Sequence, residues 1–253
     1  MAATPAWPPQ STPRLFVDEP LAPGARRIDG PPAHYLLQVM RLKVGDPVKL
    51  FDDVTGEWLA TVAAAGKRDL TLDVTTQLRP REPVPDLWLC AAPLKKGRVD
   101  WLAEKACELG VDRLVPVVTR RTVVDKPNTD RLRAHMVEAA EQCGILAIPD
   151  CPEPEKLGPA LAGLAPERLL VFCDEDAPVS DPVRALREAA DPAAAPPLAV
   201  LVGPEGGFSE DERAAIRARP NTVALSLGPR ILRADTAAVA VLALVQAVLG
   251  DAR

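Results

Sequence analysis

The sequence predicts an α/β protein in two parts, a small β-barrel domain followed by a larger domain built on a parallel sheet. Short strand-like runs dominate as far as residue 81, and the segment 81–85 (REPVP) has the composition of a linker. Beyond it, apolar strands alternate with helical patterns, as in βαβ units, which form parallel sheets. We therefore expect domains at 14–81 and 82–253, preceded by a flexible segment at 1–13 that is rich in Pro, Ala and Thr.

In the first domain, β-like runs are separated by turn residues such as Gly45-Asp46 and Gly66-Lys67. One helical pattern, at 33–40, interrupts them. This pattern predicts a small barrel with a single helix. The predicted strands are 14–17, 48–51, 57–62 and 70–74.

In the second domain, the spacing of apolar residues predicts strands and helices in alternation. Gly110 stands where a glycine C-cap would end the first helix. The predicted strands are 86–92, 114–118, 169–173, 198–202 and 222–227, and the predicted helices are 99–109, 130–142, 182–190, 209–218 and 235–249.

Composition restricts the class of protein. Apolar residues make up 47% and charged residues 26%, which is typical of a globular chain. The longest apolar run, 237–249, contains Gln246 and is shorter than the roughly 20 residues of a membrane span, so we expect a buried helix and no membrane contact. The five cysteines form no CxxC pair, and only two histidines are present, which disfavours a disulfide framework and a metal site. With no secretory signal pattern, we expect a cytoplasmic protein.

The net charge of −5 argues against long-range attraction to nucleic acid, but it is unevenly distributed. Residues 1–81 carry 10 Lys and Arg against 9 Asp and Glu, whereas residues 82–253 carry 20 against 26. Basic clusters occur at Lys95-Lys96-Arg98, at Arg120-Arg121 with Lys126, and at Arg131 with Arg133. Each cluster is open to two interpretations, a solvated surface or a contact with RNA phosphates.

The segment 201–209 (LVGPEGGFS) is an apolar strand that runs into a glycine-rich loop and then opens a helix. Ser209 and Glu212 form a capping-box pattern, which predicts that the helix begins there. Glycines allow a backbone to approach a ligand closely. The pattern is neither a Walker A loop nor a GxGxxG fingerprint, so a tight turn without a ligand is the alternative.

A second loop, 227–236 (LGPRILRADT), follows the next predicted strand. Loops that leave the carboxyl edge of a parallel sheet form the ligand sites of α/β proteins. Arg230, Arg233 and Asp235 stand among apolar residues there, which favours a functional role. A structural salt bridge from Arg233 to Asp235 or Glu205 is the competing explanation.

The segments 203–212 (GPEGGFSEDE) and 227–238 (LGPRILRADTAA) resemble the two signature motifs of the RsmE family, SPOUT-class enzymes that methylate N3 of a uridine in 16S ribosomal RNA. The segments 94–111, 115–124 and 138–144, and in the first domain 14–17 and 34–46, are also similar to family segments. The resemblance covers both domains from Arg14 to the end of the chain.

The resemblance implies a PUA-like RNA-binding barrel in front of a SPOUT methyltransferase domain with a C-terminal trefoil knot at about 198–249. It also implies a homodimer that uses S-adenosylmethionine (SAM) and acts on 16S rRNA in the small ribosomal subunit. By position in the motifs, the residues implied to bind the cofactor are Leu201, Val202, Gly203, Pro204, Glu205, Gly206, Leu225, Leu227, Gly228, Ile231, Leu232 and Thr236.

Methylation at N3 requires loss of the uracil proton, so a carboxylate base or an arginine that stabilises the uracil anion would serve the reaction. The candidates in the motifs are Glu205, Arg233 and Asp235, followed by Arg230. The residues implied to contact RNA are Arg14, Arg41, Lys95, Lys96, Arg98, Arg120 and Arg121.

The chain departs from the family pattern at three places. Asp235 stands where the family more often has Glu, Gln38 replaces a common Arg, and the segment 145–148 (ILAI) replaces a polar run that contains Arg. The last departure argues against RNA contact at that segment.

Three other functions compete with 16S rRNA methylation. They are a methyltransferase for another RNA, a ribosome-assembly factor without turnover, and a nucleotide-dependent metabolic enzyme. The absence of either phosphate-binding fingerprint disfavours the last.

Overall fold

The computed structural model describes residues 12–178, 181–191, 193 and 195–252, which form two compact units. The first unit comprises the described residues up to Pro83 together with Gly144–Ala147, and the second comprises Val84–Cys143 and the described residues from Ile148 onward. The division lies two residues from the boundary predicted from the sequence. Residues 1–11 of the predicted flexible segment lie outside the described residues.

The first unit contains a five-stranded sheet in the order β1-β3-β4-β5-β2. Its strands are β1 (Arg14–Phe16), β2 (Gly24–Ile28), β3 (Pro47–Asp52), β4 (Gly56–Ala65) and β5 (Leu70–Arg79). The β1–β3 pair is parallel and the other pairs are antiparallel. Helix α1 (Gly30–His34) continues into a π-helical turn, Tyr35–Val39, so the single predicted helix is present.

The core of the first unit follows the alternation of its strands. Along β5, Leu70, Leu72 and Val74 are buried while Asp73 is exposed, as expected for a sheet with one face on the core. Leu36 of the π-helical turn joins the same cluster. Strand β2 was not predicted because its sequence GARRI buries only Ile28 and lacks an apolar alternation.

A buried ion pair joins β1 to β4 in the first unit. Nε of Arg14 lies 2.7 Å from Oε1 of Glu57, and the Arg14 guanidinium lies 4.4 Å from the centroid of the Phe51 ring. Arg14 also donates to the carbonyl of Ile145, and Arg79 donates to the carbonyl of Gly144. Arg14 is therefore a structural residue, which corrects its assignment to RNA binding, because a buried and paired guanidinium is not presented to a ligand.

Burial explains the apolar segment 145–148, where the family has a polar run. Gly144–Ala147 belongs to the first unit, and Leu146, Ala147 and Ile148 are buried. Apolar side chains therefore suit this segment.

The second unit contains a six-stranded parallel sheet in the order β11-β9-β10-β6-β7-β8. Its strands are β6 (Leu87–Ala91), β7 (Arg113–Val118), β8 (Glu155–Lys156), β9 (Leu169–Cys173), β10 (Leu198–Val202) and β11 (Thr222–Leu225). Its helices are α2 (Arg98–Glu108), α3 (Thr129–Cys143), α4 (Leu157–Gly163), α5 (Pro182–Ala189), α6 (Glu210–Ala218) and α7 (Ala234–Val248). The five predicted strands and five predicted helices are all present, while β8 and α4 were not predicted.

The strand order positions the functional loops. Strand β9 lies between β10 and β11, although β10 and β11 follow one another along the chain. Because all three strands are parallel, their carboxyl ends meet at one edge of the sheet.

The trefoil knot at 198–249 stays a prediction. Among the described helices, none is long and apolar enough to cross a bilayer.

Candidate active site

A cavity of about 660 Å³ opens at the carboxyl ends of β9, β10 and β11. Three segments form its walls: the glycine loop (residues 203–209) after β10, the arginine loop (226–233) after β11, and the acidic loop (174–178) after β9. The two loops singled out in the sequence thus face one cavity, of the size that holds a small organic ligand.

The glycine loop is held in shape from both ends. At its start, a Cβ on Gly203 would lie 2.6 Å from the Phe208 ring, so only glycine allows that ring to pack here. At its end, the backbone of Ser209 donates to Glu212 over 2.8 Å in the predicted capping box. Burial alone would raise the pKa of Glu212. Hydrogen bonds from Ser209 and from the backbone of Arg120 outweigh this effect, so the pKa lies below its usual value.

The arginine loop presents exposed side chains and open backbone to the cavity. Gly228 has φ of +102°, and no described atom lies within 4 Å of the position that its Cβ would occupy. A ligand can therefore approach this backbone closely. Ile231, between Arg230 and Arg233, is 87% exposed and lines the cavity.

The carboxylates of the site approach Arg98 rather than Arg233. Arg98 lies 3.8 Å from Glu205 and 3.9 Å from Asp235, and Arg233 forms no ion pair with a described residue. The competing explanation, that Arg233 is retained for a salt bridge to Glu205 or Asp235, is therefore wrong. Arg233 lines the cavity with its charge available to a ligand.

Most of the residues implied by the motifs line the cavity. Those that do are Val202, Gly203, Pro204, Glu205, Leu225, Leu227, Gly228, Arg230, Ile231, Leu232 and Arg233. Leu201, Gly206, Thr236 and Asp235 do not. Leu201 is 1% exposed in the core below the site, and Ala237 lines the wall one residue beyond Thr236.

Sequence reasoning missed the acidic loop and Arg213. Asp174, Glu175, Ala177 and Pro178 line the cavity, and Arg213 reaches it from α6. The available signal was the acidic run 174–176 directly after a correctly predicted strand. Its relevance depends on β9 lying between β10 and β11, which the sequence does not reveal.

Cys173 also lines the cavity, but burial raises the pKa of its thiol to about 12. Since the thiolate is the reactive form of cysteine, Cys173 is not a nucleophile near neutral pH. The chemistry of the site therefore depends on its carboxylates and arginines.

Known proteins match this chain over both units. The family described as RNA methyltransferase domain matches residues 80–246, and the family described as RNA methyltransferase PUA domain matches residues 28–75. A ribosomal RNA small subunit methyltransferase E of Rickettsia conorii is 30% identical over 84% of this chain and 85% of its own length. The chain belongs to the RsmE family of RNA methyltransferases.

Further relatives and solved structures match the chain with similar coverage. The ribosomal RNA small subunit methyltransferase E of Bacillus subtilis is 26% identical over 83% of this chain and 85% of its own length. A Legionella pneumophila protein whose structure was solved with the bound cofactor SAM is 26% identical, with a TM-score of 0.80 over 95% of this chain and 99% of that one. A Neisseria gonorrhoeae relative, 24% identical with a TM-score of 0.83 over 95% of this chain and 99% of that one, shares the fold.

The basic clusters of this RsmE-family chain include residues beside the glycine loop. Arg121 donates to the carbonyl of Gly206 over 2.8 Å, and Arg120 pairs with Asp211 at 2.7 Å. Lys95 and Lys96 are exposed immediately before α2, which begins with Arg98. Arg120 and Arg121 therefore place positive charge next to the glycine loop and the start of α6. Arg98 places positive charge next to the carboxylates of Glu205 and Asp235.

Proposed function

We propose that this chain transfers the methyl group of SAM to N3 of a uridine in 16S rRNA of the small ribosomal subunit. The observation that carries the proposal is the single cavity between the glycine and arginine loops, with Arg230, Arg233 and Glu205 on its wall. The names of the relatives support the substrate, and the SAM-bound Legionella structure supports the cofactor.

The residues of the cavity fit SAM. Open backbone at Gly228 offers hydrogen bonds to the polar ends of the cofactor, and the apolar side chains of Val202, Leu225 and Leu227 suit its purine. When bound, SAM supplies a methyl group on a sulfonium, which a nucleophile accepts as the carbon–sulfur bond breaks and a neutral thioether leaves. The cavity walls hold donor and acceptor together, which accounts for much of the catalysis in such a transfer.

The charged residues serve the acceptor. Glu205 takes the N3 proton of the uracil, and the lone pair left on N3 becomes the nucleophile. Arg230 and Arg233 stabilise the negative charge that spreads over the uracil oxygens. Asp235 shares Arg98 with Glu205, so we assign it to holding Arg98 in place.

Cations in both units are suited to RNA phosphates. In the second unit these are Lys95, Lys96, Arg98, Arg120 and Arg121. In the first unit Arg41 is exposed, and a pocket of about 510 Å³ is lined by four basic residues, which the sequence did not single out, and by Asp29 and Asp69. Its basic residues are Arg27, His34, Lys67 and Arg68, of which Arg27 pairs with Asp69.

The homodimer implied by the family resemblance is supported by α7. No charged residue follows Asp235 in this helix, and its outward positions Ala240, Ala243 and Ala247 are small and partly or fully exposed. A helix that is apolar on all sides is usually buried. We therefore assign the dimer interface to this helix, and sedimentation of the full chain tests it.

Calorimetric titration of the full chain with SAM, followed by mass spectrometry of 16S rRNA from a deletion strain, tests the function. We expect stoichiometric binding of SAM and loss of one methyluridine from the deletion strain. Expression of the chain or of Arg187→Ala should restore it, whereas Arg233→Ala should not, because the loss of one transition-state contact costs about 100-fold to 1000-fold in rate. Arg187 is an exposed arginine on α5 and serves as the matched control.

Two outcomes would contradict the proposal. Binding of SAM with unchanged 16S rRNA in the deletion strain would indicate another RNA substrate. Failure to bind SAM would indicate an assembly factor that has lost turnover.

A further inference from the structure

The acidic loop is fixed to α6 by an ion-pair cluster centred on the buried side chain of Asp174. The Asp174 side chain is 1% exposed and accepts from Nη1 of Arg213 over 2.7 Å, and Arg217 donates to its other oxygen. Arg213 also contacts Asp176 and, at 3.3 Å, Glu175. Since α6 begins where the glycine loop ends, the cluster holds two walls of the cavity in a fixed relation.

Among the acidic residues of this cluster, Glu175 alone is both exposed and on the cavity wall. Asp174 lines the cavity with a side chain that is only 1% exposed, Asp176 is 69% exposed but does not line the cavity, and the Glu175 side chain is 54% exposed and lines it. Its Oε1 lies 3.7 Å from the position that a Cβ on Gly207 would occupy, so its carboxylate faces the glycine loop. The absence of a side chain at Gly207 keeps that space open.

The surroundings of Glu175 indicate which part of SAM it suits. Arg213 is shared by Asp174, Asp176 and Glu175, and its 3.3 Å contact engages only Oε1 of Glu175, so this carboxylate keeps lone pairs that can accept hydrogen bonds from a ligand. Glu205, the other exposed glutamate on the cavity wall, is already assigned to the uracil proton. The ribose of SAM carries two adjacent hydroxyls, which are neutral hydrogen-bond donors. In α/β proteins, a carboxylate at the carboxyl edge of a parallel sheet is a known acceptor for such hydroxyls.

We propose that Glu175 binds the ribose hydroxyls of SAM and that Arg213 is a positioning residue that orients it. This inference rests on the proposed use of SAM and adds a cofactor contact outside the two signature motifs. Arg213 acts through Glu175, because its guanidinium is engaged by the acidic loop.

Calorimetry with three ligands tests the assignment of Glu175. SAM, S-adenosylhomocysteine and 5′-methylthioadenosine share the ribose, but only SAM carries the sulfonium, and the last lacks the amino acid. We expect Glu175→Ala to weaken binding of all three by a similar factor, about tenfold or more, since hydrogen bonds to charged groups are the strong ones. Glu188→Gln, an exposed glutamate on α5, should leave all three affinities unchanged.

Equal affinities in the chain and in Glu175→Ala would overturn the proposal, as would a loss confined to SAM, which would indicate a contact with the sulfonium. If the unaltered chain bound none of the three ligands, the proposed function would fail instead. The two failures are therefore distinguishable.

A double-mutant cycle tests the role of Arg213. If Arg213 acts through Glu175, Arg213→Met should raise the KM for SAM more than it lowers kcat, and adding Glu175→Ala should cost little more. Arg213→Lys should recover part of the affinity. Additive losses would overturn the positioning role, and if Arg213→Met does not fold, the Glu175→Ala measurements still decide the cofactor contact.

Discussion

Gln246, near the end of α7, donates through Nε2 to the backbone carbonyl of Leu109 at the end of α2, over 2.6 Å. The side chain is buried, and its Oε1 accepts from the backbone of Asp251. This residue interrupts the longest apolar run of the sequence because it provides hydrogen bonds that an apolar residue would leave unmade.

We expect Gln246→Leu to lower the free energy of unfolding by about 1–3 kcal/mol, the usual cost of leaving a buried polar group without a partner. Urea denaturation monitored by circular dichroism measures it. Gln142→Leu, at an exposed position on α3, is the control and should change stability by less than about 0.5 kcal/mol. Equal stability of the chain and Gln246→Leu would show that the hydrogen bond contributes nothing.

Stability should depend on pH through Glu57. Burial alone would raise the pKa of Glu57, but the nearby charges of Arg14 and Arg79 outweigh this effect, so the pKa lies below its usual value of 4.5. A group whose pKa is depressed on folding stabilises the fold above its unfolded pKa and loses that contribution as the pH falls through its folded pKa. The stability difference between the chain and Glu57→Gln should therefore be constant above about pH 5 and shrink below pH 4.5. A difference that grew toward acid pH would contradict this assignment.

Substitution of Gly228 should affect SAM binding beyond its effect on the backbone. Gly228→Ala strains a residue at φ of +102° and places a methyl group at the cavity wall, whereas Gly45→Ala imposes similar strain at φ of +94° in the first unit. Each should cost about 1–2 kcal/mol of stability. Only Gly228→Ala should weaken SAM binding, as measured by calorimetry, and similar SAM affinities for both variants would remove Gly228 from the site.

The two carboxylates beside Arg98 should differ in their kinetic effects. Glu205 lines the cavity and Asp235 does not, so Glu205→Gln should lower the single-turnover rate by about 100-fold or more, consistent with loss of a general base. Asp235→Asn should lower it less than about tenfold, and Asp235→Glu, the residue more common in the family, should preserve it. The reverse order of effects would make Asp235 the base.

The basic pocket of the first unit should contribute to RNA affinity. Lys67→Ala with Arg68→Ala removes two exposed cations, so the slope of log affinity against log salt should fall by about 1–2. Arg184→Ala with Arg187→Ala, exposed arginines on α5, is the matched control in filter binding to 16S rRNA. An unchanged slope in the first variant would exclude phosphate contacts at this pocket.

The sequence predicted the elements whose local signals are strong. Strands β9 and β10 are continuous apolar runs and were placed at their observed bounds, and the capping box located the start of α6. Strand β2 and the two-residue β8 carry no apolar pattern, so only tertiary pairing reveals them. Local sequence signals are therefore enough to predict buried apolar strands, but they do not reveal short or polar strands.

For the site, the two glycine-bearing loops were predictable and the third wall was not. The position of Glu175 depends on the insertion of β9 between β10 and β11, which is a long-range property of the sheet. The burial of Arg14 likewise depends on Glu57, 43 residues away. The sequence alone therefore does not show whether a basic residue contacts phosphate or forms a structural ion pair.

The position of the cavity residues along the chain affects when the site can form during translation. Every wall of the cavity comes from residues 173–237, so a ribosome must synthesise the chain as far as Ala237 before a methyl donor can be retained. Domains generally fold as units, and the first unit needs no residue beyond Ala147, so it can form before the cavity of the second unit has been synthesised. A polypeptide that stalls during translation would therefore lack the pocket needed to modify any base.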